Sequence, residues 1–126
     1  MQQRIGLSLA IDRLIKVSSL RSEFSHVREE AANNRFILTF TCTKKGVTVI
    51  RDVWSAVNKR EARCSTSVVD YKNLDNTYTI RLEWEHRLRT FVEVRSKLLA
   101  ELLNEACLRD ENATERFNSI LDKETP

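Results

Sequence analysis

The sequence predicts an α+β fold, and three observations predict it. Between positions 77 and 103 the apolar residues change spacing: every second position up to Trp84, then three and four apart from Leu88. Only two glycines and one proline occur in 126 residues, and that proline is the last residue, so the elements should be long and regular. Hydrophobic residues make up 41% and charged residues 31%, a globular rather than a disordered composition. A chain of this length buries roughly two thirds of the surface that its unfolded form exposes.

The elements follow in order. Residues 4–33 read as a helix, with Leu7, Ala10, Leu14, Val17, Phe24 and Ala31 on a heptad seam and Arg21 and Arg28 between them. Ile11 and Ile15 widen the apolar face of the first half. Ser18, Ser19 and Ser22 are weak helix formers and mark a kink or restart, and Asn33-Asn34 is a helix stop. Residues 35–54 read as a β-hairpin. Phe36, Leu38, Phe40 and Cys42 alternate on the first strand, and Val47, Val49 and Val53 lie on the second against Ile50 and Trp54. Thr43-Lys44-Lys45-Gly46 is its turn, with Gly46 free to take positive φ.

Positions 58–61 are polar and read as a loop, and 62–71 as a third strand rich in Ser, Thr and Val. After a turn at 73–76, the fourth strand sets Tyr78, Ile80, Leu82 and Trp84 against Thr79, Arg81, Glu83 and Glu85. That contrast gives it one face on a core and one in water. The closing helix carries Leu88, Phe91, Val92, Leu98, Leu99, Leu102 and Ala106 at helical spacing, with Val94, Leu103 and Cys107 as a second apolar edge. Asn112 followed by Glu115 starts a short last helix. The expected organisation is one two-layer α+β domain over 1–126: helical in 1–33, a four-stranded, mostly antiparallel meander sheet in 35–85, and helical again in 86–123.

The totals exclude several function classes. A net charge of +3, from 21 basic and 18 acidic groups, permits an acidic partner without demanding one. Cys42, Cys64 and Cys107 are far apart, which suits free thiols better than a disulfide framework or a zinc site. Gly6 and Gly46 stand alone, so there is no Gly-rich phosphate loop. The two histidines, His26 and His86, lie far from each other in sequence, and His86 is read as holding the corner between the last strand and the helix. No catalytic residue, metal ligand, cofactor or small-molecule substrate is therefore assigned. The enzymatic alternative is a small hydrolase or transferase using Cys64 or the Glu83/Glu85 pair. The apolar start of "RIGLSLAIDRLI" is interrupted by Asp12 and Arg13, so neither a signal peptide nor a membrane span is expected, and the location is read as cytoplasmic or nuclear.

What remains is binding. Two apolar helices offer more hydrophobic surface than one sheet face covers, so the leading expectation is a non-catalytic interaction and assembly module. It is expected to form a homodimer through Leu7, Leu14, Val17, Phe24, Val94 and Leu103 and to present its outer sheet face and a basic loop to a protein partner. The alternative is a nucleic-acid binder with Lys44, Lys45, Arg51, Lys59, Arg60, Arg63 and Arg81 on one side of the sheet and Trp54, Tyr71 or Trp84 for stacking. A helix leading into a small antiparallel sheet and returning as a helix resembles the layout of dimeric adaptor domains that cap coiled coils in kinetochore and checkpoint proteins. It is also similar to that of small phage and viral inhibitor proteins. The resemblance is one of layout, without a shared motif, and it implies an interaction role.

Overall fold

A computed structural model describes residues 6–58, 66–85 and 88–109, together with Glu115 and Ser119, both helical. The fold class is the expected α+β: an N-terminal helix, one four-stranded antiparallel sheet and a C-terminal helix. Two elements differ from the sequence reading, and each difference has a physical cause.

The first helix, α1, runs only from Leu7 to Lys16. Ser18 ends it. Its hydroxyl donates to the carbonyl of Ile15 at 3.0 Å and accepts from the amide of Leu20 at 3.2 Å, which starts a 3-10 turn at Ser19–Ser22. The chain then enters strand β1, Phe24–Ala32, where a continuation of the helix was expected. Asn33 and Asn34 both take positive φ, 52° and 62°, and close a two-residue turn into β2, Arg35–Cys42. Two consecutive left-handed residues form the tight turn whose twist matches a hairpin. Asn33-Asn34 is thus a hairpin turn rather than a helix stop.

The second correction concerns residues 44–58. They form helix α2, Lys44–Asn58, rather than the far strand of a hairpin. Thr43 caps it by accepting from the amide of Gly46 at 3.1 Å, and the amide of Val47 donates to the Thr43 carbonyl at 3.1 Å. Ile50, Trp54 and Val57 recur at helical spacing and are buried, with Val47, Val49 and Val53 beside them. Gly46 does not take positive φ. Its role is space: a Cβ there would lie 2.7 Å from the Cβ of Cys42 and 3.0 Å from the Glu23 carbonyl oxygen.

Strands β3, Thr66–Lys72, and β4, Tyr78–Glu85, form the second hairpin, and the helix α3, Leu88–Arg109, follows. The strand order is β1-β2-β4-β3, all antiparallel. The sheet is therefore two hairpins joined by a helical crossover, not a run of consecutive neighbours. Phe36, Leu38, Phe40 and Cys42 of β2 and Ile80, Leu82 and Trp84 of β4 face the helices. On α3, Val94, Leu98, Leu102 and Ala106 are buried at intervals of four, so Val94 belongs to the main stripe rather than to a second edge. Trp84 packs between Phe36 and Trp54, at ring-centroid distances of 4.9 and 5.3 Å.

The residues expected to form a dimer face lie within this core. Leu7, Leu14, Phe24 and Val94 are buried, and Val17 and Leu103 are partly buried against the same cluster. A single chain conceals the stripe, because α1 packs on β1, α2 packs on β2 and β4, and α3 packs on both of these helices.

Candidate functional site

With all helices on one side, the other side of the sheet stays open among the described residues. The pairing registers place its side chains in cross-strand rows: His26, Thr41, Thr79 and Tyr71; Arg28, Thr39, Arg81 and Val69; Glu30, Ile37, Glu83 and Ser67. Val69 and Tyr71 are the notable pair. Both are large, alternate on β3, and remain 51% and 54% exposed. Beside them Arg81 donates to Glu83 at 2.6 Å, and Arg35 reaches the same carboxylate at 3.5 Å. Ile37 is directly opposite Glu83 and two residues from Arg35, so this network arches over it and leaves it 6% exposed on a face without a helix. Ser67, Val69, Tyr71, Arg81 and Glu83 line a shallow groove of about 190 Å³ on this face.

The turn that leads from β3 to β4 is well fastened. Asn73 donates from Nδ2 to Thr79 Oγ1 at 2.9 Å and to Thr77 Oγ1 at 3.0 Å. Asp75 accepts from the Thr77 hydroxyl at 2.6 Å and from its amide at 3.1 Å. These bonds favour the ionised carboxylate and hold Asp75 below the usual carboxylate range. Leu74 projects fully into solvent at the tip.

The expected basic surface is not gathered on this face. Lys44, Lys45 and Arg51 belong to α2, on the helical side, and Arg51 is bonded to Asp70 through Nε at 2.5 Å. Arg81 is on the open face and bonded to Glu83. Lys59, Arg60 and Arg63 lie outside the described residues, as do Cys64 and His86. Trp54 and Trp84, offered for base stacking, are core residues, while Tyr71 is on the open face.

Of the groups weighed for catalysis, Cys64 lies outside the described residues, and Glu83, Cys42 and Cys107 lie within them. Cys42 is buried, and burial, reinforced by the negative charges of Glu23 and Asp70, pushes its thiol up to about 11. Cys107 is half-buried on α3. Glu83 is engaged by two arginines. Among the described residues no three His, Cys, Asp or Glu side chains gather at metal-binding distance, and no helix is long and apolar enough to cross a membrane.

Sequence reasoning assigned Arg81 and Tyr71 to this face's chemistry but missed Val69. The available signal was the run of Val68 and Val69, where one residue must point away from the core if the segment is a strand. No protein-family model, curated protein or solved structure matches the chain.

Proposed function

We propose that this chain is a non-catalytic protein-interaction module whose contact surface is the open face of its sheet, centred on the β3 side. One observation carries the reading: Val69 and Tyr71 sit side by side in water, flanked by a polar network that would form the rim of a contact. Tyrosine and arginine are among the residues that dominate protein contacts energetically. A phosphate-tracking role is less well supported, because the cations divide between the two sides of the sheet and Arg51 and Arg81 are already neutralised by Asp70 and Glu83.

The test is affinity capture from nuclease-treated extract with the parent chain, with Tyr71→Ala and Arg81→Glu on the open face, and with Lys44→Ala/Lys45→Ala on α2. The reading expects one set of proteins to be retained by the parent and the α2 variant and lost by both open-face variants. Equal capture by all of them would sink it. Oligonucleotide anisotropy across a salt series is expected to show no binding of the kind that weakens steeply as salt rises.

A further inference from the structure

Among the described residues the sheet has two edges, β1 and β3, and they are built differently. β1 is guarded: its register shifts between Phe24 and His26, and Arg28, Glu29 and Glu30 follow in succession. Bulges and charges are the usual means of blunting an edge against pairing. β3 has neither an irregularity nor a charge before Asp70, and its pairing with β4 runs unbroken from Thr66–Trp84 to Lys72–Tyr78. The phase of that ladder is fixed where the amide of Asn73 donates to the Thr77 carbonyl at 2.8 Å. Hydrogen-bonded pairs alternate in an antiparallel ladder. The amides and carbonyls of Ser67, Val69 and Tyr71 are therefore directed at β4, and those of Thr66, Val68, Asp70 and Lys72 point outward.

We propose that a second copy of this chain completes this edge, β3 pairing antiparallel with the partner's β3 about a two-fold axis at Val69. The inference rests on the interaction reading above and names its partner. This register alone pairs all seven residues of the strand with their counterparts. Val69 then faces the partner's Val69, and Tyr71 faces the partner's Ser67, so both half-exposed apolar side chains gain cover. Asp70 faces the partner's Val68 and Lys72 faces the partner's Thr66, so no charge meets its like. A register centred on Asp70 would set that carboxylate against the partner's Asp70, which is destabilising. Asp70 is also bonded to Arg51 within its own chain, which neutralises it beside the new seam. The two sheets become one of eight strands, with a continuous open face.

Light scattering across a concentration series is expected to give a mass rising to twice 14.7 kDa. Val69→Lys places two ammonium groups opposite each other and is expected to give a monomer with an unchanged far-ultraviolet circular dichroism spectrum. Val69→Cys provides an independent reading. Its position is a non-hydrogen-bonded pair, with Cα atoms about 4.5 Å apart, within disulfide reach. Mild oxidation should yield a 69-to-69 disulfide that peptide mapping locates. A monomer at every concentration overturns the proposal, and so does a dimer that survives Val69→Lys and forms no such disulfide. A monomer whose capture of another protein still depends on Tyr71 and Arg81 overturns this inference and leaves the interaction reading standing. A monomer whose captures ignore those residues removes both.

Discussion

Gly46 is a residue at which two effects oppose each other. It occupies the first turn of α2, where helix propensity alone favours alanine by about 1 kcal/mol. The missing Cβ, however, would lie 2.7 Å from the Cβ of Cys42 and 3.0 Å from a main-chain oxygen, neither of which moves freely. Gly46→Ala is expected to destabilise the protein by about 1–3 kcal/mol, measured as a lowered urea midpoint at unchanged slope. Cys42 itself should react with thiol reagents only on unfolding at neutral pH. Its pKa is raised to about 11 in the folded chain, from an ordinary value of 9.0. The unfolded state therefore loses its proton first as pH rises, so stability is fully present below about pH 9 and declines between pH 9 and 11. Alkaline denaturation of the parent beside Cys42→Ala checks this: the difference in slope across that window should vanish in the variant.

At the scale of elements, α1 and β1 are tied by one carboxylate. Gly6 has no side chain with which to cap α1, and Glu29 from β1 takes over, accepting from the Ser8 amide at 2.9 Å and its hydroxyl at 2.7 Å. Glu29→Ala is expected to cost about 1 kcal/mol and to raise hydrogen exchange at the Ser8 amide well beyond the change in global stability. The same carboxylate explains why β1 was not legible in the sequence. Val27, Glu29 and Ala31 point to the core side, and a glutamate and a small alanine erase the alternation that announces a strand. The spacing of seven then carried the helical reading too far. β4 was legible because Ile80, Leu82 and Trp84 keep a strict period of two against Arg81, Glu83 and Glu85. In α2 the β-branched run of Val47, Thr48, Val49 and Ile50 imitates a strand, and only Thr43 as cap and the spacing of Ile50, Trp54 and Val57 reveal the helix. The candidate site was legible in part: the polar side of β4 was identified, whereas the exposure of Val69 depends on β3 being an edge, which is a matter of strand order.

On the scale of the whole molecule, the arrangement is one-sided. Among the described residues α1 and α2 pack on one face of the four-stranded sheet with α3 packed on both of them, and their buried side chains form a single core with those of the sheet. Substitutions should divide accordingly. Leu82→Ala, on the covered face, is expected to cost about 2–5 kcal/mol, whereas Val69→Ala, on the open face, should change protomer stability by no more than about 0.5 kcal/mol; chemical denaturation in dilute solution separates the two. The core also contains two indoles from different layers, Trp54 of α2 and Trp84 of β4, tilted by 39° with neither ring nitrogen hydrogen-bonded among the described residues. Chromophores so close share their excited states. The chain thus has an intrinsic optical gauge, an exciton signature that exists only while the crossover helix is seated on the sheet and that should vanish when either tryptophan is replaced by phenylalanine.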